Sequence, residues 1–250
     1  MRKWLEQLVL GAGELALEKR QTLRSRLKAD GTLVSDIDEL VQEYVISRIE
    51  REFPHDCVIS EESDRVCAEG TRRVWAIDPI DGTRSFVLGF PLWAVSIGLL
   101  EEGKPRCGAV YVPQVRDLYV NAGDGPFLNG KPMSPCPVPV CDKNSAFLVT
   151  ERFFRKYFLD YPGTFFSLGT TAVHALYVGR GAAVGSFSRA FVWDFAGAAA
   201  IVLPLGVEFR YVGGKPVDFS KLLTRNRVSE GVFACHPSLF GQFQSALKPR

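Results

Sequence analysis

With 250 residues, a formal charge of +2 at pH 7 and 46% hydrophobic residues, the chain is long enough to bury a sizeable core as one large domain or two closely joined halves. Lys and Arg are scattered among acids, and no basic run exceeds a few residues, which argues against a nucleic-acid polymer or a membrane surface as partner. The six cysteines contain no C-x-x-C spacing, so a disulfide scaffold is excluded and they read mainly as buried small apolar residues, with a Cys136–Cys141 bridge left open.

Residues 1–27 read as an amphipathic helix, with Leu5, Leu8, Val9, Ala12, Leu15 and Ala16 at helical spacing. Glu6, Glu14 and Glu18 interrupt what a secretory signal would need, and a cytoplasmic address follows by default. A second helix is expected over 38–53. Strands are expected at 57–59, 73–77, 94–100, 107–112 and 118–122, joined by short turns that include the likeness of a hairpin at Asn129-Gly130. Residues 131–141 are dense in proline and form the single candidate linker. Strands at 146–150, 182–186 and 207–211, with helices at 170–178 and 193–203, suggest a second sheet.

The chemistry concentrates in Asp78-Pro79-Ile80-Asp81-Gly82-Thr83, directly after the apolar run 74–77. Carboxylates three apart on a regular strand would face opposite ways; Pro79 is expected to break the ladder and let both turn toward one point. Gly82 permits close backbone approach, and Thr83 adds a hydroxyl where a helix start would face an anion. Glu61-Glu62 follow another apolar run, and Asp194 sits in Trp193-Asp194-Phe195-Ala196-Gly197. Acids delivered by three segments at the edges of apolar elements are most economically explained by shared cations. The three histidines lack metal-ligand spacing, so oxygen ligation of magnesium suits the chain better than zinc.

These residues resemble the inositol monophosphatase superfamily of magnesium-dependent, lithium-sensitive phosphatases, whose signatures are a Glu-Glu pair, D-P-I-D-G-T and W-D-x-A-G in that order. Lys28-Ala29-Asp30-Gly31-Thr32-Leu33-Val34-Ser35 through Asp38, Phe127 through Pro132, and Ser167 through Ala172 extend the likeness over nearly the whole chain. The resemblance implies an α/β (α+β) fold, a layered α-β-α-β-α sandwich with two sheets. It implies one phosphatase domain over 1–250, with an N-terminal half at 1–135 and a C-terminal half at 140–250. By the same carry-over, Glu61, Asp78 and the Ile80 carbonyl would hold one Mg2+, and Asp78, Asp81 and Asp194 a second. A weaker third ion would use Glu61 near Asp38. Thr83 would orient the attacking water, with Glu61 and Asp38 as proton acceptors, and Glu62 would be a salt-bridging neighbour. Asp81, Gly82, Thr83, Gly169, Thr170 and Arg189 would meet phosphate or substrate. Thr83 also reads as a helix-capping hydroxyl, and Asp38 with Ser35 and Asp36 as a cap of the second helix. Relatives of this type are commonly homodimers acting on small-molecule phosphate esters.

Several positions depart from the family pattern. Where its inositol phosphatases carry a Glu that contacts ring hydroxyls, this chain has Phe187, and Arg189 two residues on could meet an anionic group. Ser85 stands for the usual Asn after Gly-Thr-x, and Ser60 for the Gly before the Glu pair. Leu203-Pro204-Leu205-Gly206 replaces a common E-A-G-G and is expected to end a helix at Leu203 and reshape the leaving-group side of the pocket. Inositol monophosphate is the nominal substrate. Fructose 1,6-bisphosphate, a nucleotide 3′,5′-bisphosphate and histidinol phosphate are alternatives, and a metal-dependent binding or regulatory protein of the same fold is an alternative of another class.

Overall fold

A computed structural model describes residues 1–28, 33–68, 70–135, 139–223 and 228–250. Residues 29–32 of the segment from Lys28 to Asp38, and Cys136, lie outside the described residues. Helix α1 (Arg2–Lys19) is followed by strands β1 (Ser25–Leu27) and β2 (Leu33–Ser35), which pair antiparallel, and by helix α2 (Asp36–Glu52). The first helix therefore stops well short of residue 27. Residues 18–22, Glu-Lys-Arg-Gln-Thr, carry no apolar side chain to hold the next turn on the core, and β1 is exposed throughout. Helix α2 starts earlier than expected because Ser35 caps it in a reciprocal box with Asp38.

Seven strands form the first sheet: β3 (Cys57–Ser60), β4 (Arg73–Asp81), β5 (Ala94–Glu101), β6 (Lys104–Val112), β7 (Asp117–Asn121), β8 (Pro126–Leu128) and β9 (Lys131–Pro132), in that spatial order. Only β3 and β4 run parallel, and the short helix α3 (Thr83–Leu88) leaves the end of β4. Asn129 and Gly130 both take positive φ between paired Leu128 and Lys131, the hairpin geometry this dipeptide favours. The second sheet orders as β12 (Thr164–Phe166), β10 (Ala146–Val149), β13 (Gly185–Ser188), β15 (Val232–Cys235) and β14 (Glu208–Tyr211). A small pair joins β11 (Tyr157–Leu159) to β16 (Leu247–Pro249). Helices α4 (Thr171–Gly179), α5 (Val192–Val202) and α6 (Pro237–Ala246) complete the fold.

Alternation along β4 explains the layering. Trp75 and Ile77 pack against α1 and α2 through Leu5, Val9, Val45 and Ile49, whereas Val74 and Ala76 face a core shared with α4, α5 and the second sheet. Both faces of the strand are buried, so it reads in sequence as an unbroken apolar run. On its far face the second sheet packs Phe147 and Phe233 against Phe243 of α6. The result is the α-β-α-β-α order. Gly98 seats α5 on the first sheet, since a Cβ there would lie 2.6 Å from the Ala196 and Gly197 backbone. No helix among the described residues is long and apolar enough to cross a membrane.

The cysteines require a correction. Cys57 and Cys67 form a disulfide with Cα atoms 5.9 Å apart, because the segment after the Glu pair folds back beside the start of β3. Cys107 and Cys235 are buried thiols, as expected of small apolar residues.

Candidate active site

Strand β4 does not end at Pro79. It continues to Asp81 through a register shift in which the three steps from Asp78 to Asp81 face the two steps from Ser96 to Ala94. The extra residue of this bulge, rather than a broken ladder, lets both carboxylates turn to one side. Oδ1 of Asp78 accepts from the Ile80 N–H at 3.0 Å, which tightens the turn. Gly82 then adopts φ +91°, and a Cβ on it would stand 2.7 Å from the Gly169 carbonyl oxygen, so only glycine lets the two loops approach so closely.

Glu61, Asp78 and Asp194 each present a carboxylate oxygen, and these three oxygens lie within 4.8 Å of one another. Glu61 is placed at the end of β3 by its N–H bond to the Ile77 carbonyl, 3.2 Å, which extends the parallel pairing by one residue. Asp194 occupies the first turn of α5 and accepts from the Phe191 N–H at 2.5 Å. Asp78 Oδ2 is buried without a donor and faces the Asp194 carboxylate, another acceptor. Two ionised carboxylates cannot satisfy each other, so a proton or a cation must lie between them. Burial first, and then the charges of Glu61 and Asp81, push Asp78 and Asp194 well above the usual carboxylate range. Burial likewise raises Glu61, against the pull of Lys28. An all-oxygen set with an orphaned buried oxygen fits a hard divalent cation such as magnesium.

Two residues hold this acid pair: Lys28, quoted above only as part of the family likeness, and Gln42, which no motif marks. The Lys28 ammonium donates to Glu61 at 3.1 Å and to Glu62 at 2.6 Å. Gln42 reaches from α2, its Oε1 accepting from the Glu62 N–H at 3.0 Å and from the Ser60 hydroxyl. Ser60, one of the departures noted in sequence, is thereby tied to the Glu pair. A lone Gln between Val41 and Val45 on the buried side of α2 was the available signal.

Asp81 stands outside the trio. Its Oδ1 accepts from the Thr171 N–H at 3.1 Å, and its Oδ2 from the Ala172 N–H at 2.6 Å and from the Thr170 hydroxyl. The start of α4 is thus an anion seat filled by this side chain, and Oδ1, with a single donor, keeps a lone pair for a cation. Burial pushes Asp81 up to about 6 in spite of these bonds. Thr170, expected to meet phosphate, is instead a buried cap whose hydroxyl turns to Asp81 and accepts from the Val173 N–H at 3.3 Å. Gly169 and Thr171 line the cavity in its place.

Thr83 Oγ1 lies 3.0 Å from Asp38 Oδ1 and 3.1 Å from the Ile80 carbonyl oxygen, so its single proton serves one or the other. The other Asp38 oxygen accepts from the Ser35 N–H at 2.9 Å and from the Ser35 hydroxyl. Asp38 therefore caps α2 and touches Thr83 at once. Burial pushes its carboxyl up to about 6.

Farther along α4, His174 Nε2 accepts from the Leu168 N–H at 3.0 Å and fixes the loop that carries Gly169. Burial pushes its imidazole down to about 4 from the ordinary 6.5. The unfolded chain then binds a proton that the folded chain refuses, so this stabilisation is complete above pH 6.5 and is lost as pH falls toward 4. The loss amounts to about 3 kcal/mol. His174→Gln, which keeps an acceptor and does not titrate, should remove this contribution from the slope of unfolding free energy against pH between 7 and 4.5 in urea titrations, while the raised acids Asp38, Asp78, Asp81 and Asp194 contribute with the opposite sign in both proteins; a slope equal to that of wild type would contradict this.

These acids form the floor of a cavity of about 870 Å³. The profile of the inositol monophosphatase family matches residues 1–236. The chain belongs to the inositol monophosphatase family. An inositol monophosphatase 1 from Sus scrofa is 31% identical over 232 residues, covering 83% of this chain and 82% of that protein. A histidinol-phosphatase from Chlorobaculum parvum is 39% identical over 161 residues, covering 62% of this chain and 60% of the relative's length. In fold, an IMPase from Thermotoga maritima superposes with a TM-score of 0.80 at 23% identity, over 96% of this chain and 93% of that one.

Within this family member the departures fall unevenly around the cavity. Phe187 on β13 is buried in its wall, packed edge-on at 5.0 Å against both Phe153 and Tyr157. Ser85 and Arg189 also line it, and the Arg189 guanidinium donates to the Ser229 carbonyl at 2.9 Å. The turn at Leu203–Leu205 follows α5 as expected but is not part of the cavity lining, so it does not reshape the pocket wall.

Proposed function

We propose that the protein is a magnesium-dependent phosphomonoesterase for a small sugar-alcohol phosphate, with inositol monophosphate as its nominal substrate. The observation that carries this reading is the meeting of Glu61, Asp78 and Asp194 within 4.8 Å at the floor of the cavity, with an Asp78 oxygen that has no donor. Glu61, Asp78 and the Ile80 carbonyl would hold one Mg2+, Asp78, Asp81 and Asp194 a second, and Glu61 a weaker third near Asp38. When bound, magnesium neutralises charge on the phosphoryl and departing oxygens.

The chain's own residues do the rest. Gly82 and Thr83 present backbone N–H groups to the phosphate, and Gly169 keeps the opposite wall close. With its hydroxyl proton given to Asp38, Thr83 Oγ1 accepts from a water in line with phosphorus. As the water oxygen bonds to phosphorus and the ester oxygen leaves, the water's proton passes to Thr83 and that of Thr83 to Asp38. Glu61 is the other acceptor within the site. The departing alkoxide takes its proton from solvent.

A second reading, hydrolysis of histidinol phosphate, is favoured by the 39% identity to a histidinol-phosphatase. A homodimer in the cytoplasm, inhibited by lithium, completes the proposal by family resemblance. In a reducing cytoplasm Cys57 and Cys67 would be held as thiols. Phosphate release from inositol 1-phosphate, fructose 1,6-bisphosphate, a nucleoside 3′,5′-bisphosphate and histidinol phosphate should require magnesium and fall with added lithium. No release from any of them would favour a metal-dependent binding protein.

A further inference from the structure

The cavity has an outer half whose chemistry differs from its floor. Its wall is aromatic where Phe187, Phe153 and Tyr157 pack together, so it offers no carboxylate to the ring hydroxyls of a polyol and only the Tyr157 hydroxyl as a polar group. Its rim carries Arg84, Arg152, Lys156 and Arg189 against the single acid Glu151. Arg84 approaches that acid at 4.0 Å and Arg189 is held on the Ser229 carbonyl. Arg152 and Lys156 flank a short 3-10 turn, Phe153–Arg155, whose buried Phe153 anchors it against Phe187. Both therefore stay on the cavity side of a fixed turn, and neither makes an ion pair among the described residues.

A cationic rim over a wall of low polarity strengthens attraction for an anion and repels an ammonium group. Guanidinium and ammonium together are suited to phosphate, as a fork and a point charge. Resting on the phosphomonoesterase reading above, we infer that the outer half of the cavity recognises a second anionic group on the alcohol half of the substrate. Arg152 and Lys156 are the specificity-determining residues. The preferred ester is accordingly a bisphosphate or a phosphorylated hydroxy acid; the reaction proposed above is kept, and inositol monophosphate and histidinol phosphate become the weaker substrates of the same site.

The test compares kcat/KM for fructose 1,6-bisphosphate, a nucleoside 3′,5′-bisphosphate, 3-phosphoglycerate, inositol 1-phosphate and histidinol phosphate, in wild type and in Arg152→Ala/Lys156→Ala. Both side chains are exposed, so the fold should tolerate their loss. The wild type should prefer at least one dianionic ester over inositol 1-phosphate by about tenfold, and the double variant should lose that ratio through KM. Which anionic ester responds distinguishes phosphate from carboxylate. A wild-type preference for inositol 1-phosphate or histidinol phosphate, or a ratio unchanged in the double variant, would overturn the inference. Equilibrium binding of the same esters with calcium in place of magnesium reads selectivity without turnover. Inactivity on every ester thus counts against the function, whereas equal affinity for the bisphosphate in the two proteins counts against Arg152 and Lys156.

Discussion

Asp78→Asn is expected to stabilise the metal-free protein while removing its activity. In the absence of a cation the buried Asp78 faces Asp194 acceptor to acceptor, and both are pushed toward the protonated form. The Asn carbonyl keeps the Ile80 N–H bond, and its amide can donate to Asp194, so the buried pair is matched without the proton uptake that the wild type needs. The gain should be about 1 to 3 kcal/mol, or several degrees in thermal midpoint with chelator present. The same change weakens the proposed bridge between two cation sites, and turnover should fall by at least about a thousandfold. Thermal scans with chelator and with magnesium read both arms. Wild type should gain stability from magnesium and the variant should not. A variant less stable than wild type in chelator would mean that Asp78 serves the fold.

Thr83→Ala and Asp38→Asn should each lower kcat by about a hundredfold or more with little change in KM, because positioned proton transfer acts in the transition state. The 3.0 Å contact between the two side chains makes them one unit. Their double variant should therefore be scarcely worse than either single one. Thr83→Ser, which keeps the hydroxyl, should restore most of the rate. Losses that multiply in the double variant would show two separate roles, with Asp38 acting chiefly as the cap of α2 through Ser35.

The acids of the candidate site were legible in sequence because each sits at the edge of a run buried on both faces, as Asp78 does after Val74 to Ile77. What holds those acids was harder to read. Asp81 meets Thr170 and Ala172 about ninety residues on, and no local pattern marks a hydroxyl that caps a helix as one that also seats a carboxylate. Pro79 misled in the opposite direction: a bulge accommodates it without ending the strand, since the cost of the missing N–H depends on the partner strand's register. Cys57 and Cys67 lack a motif spacing, and their pairing depends on the path of the loop between them.

Shorter elements of the second sheet were lost for other reasons. Strands β12 and β15 are three and four residues long, too short for a period to declare itself. Helix α6 did carry a start signal in His236-Pro237, where the imidazole caps the Ser238 N–H and Pro occupies the first turn. Lys28 approaches the Glu pair from the far side of the site, a contact between segments more than thirty residues apart. Long-range electrostatic pairing of this kind leaves no periodic trace.

If the carboxylates at the floor of the cavity hold magnesium for phosphomonoester hydrolysis, turnover must follow occupancy by the ion. The decisive measurement is titration of magnesium into chelator-treated protein with phosphate release from the ester panel as readout. No release without the ion and a saturable rise with it, absent in Asp78→Asn, is the expected result. Release that persists in chelator, or that magnesium restores equally in Asp78→Asn, would show that these carboxylates do not hold the catalytic ion.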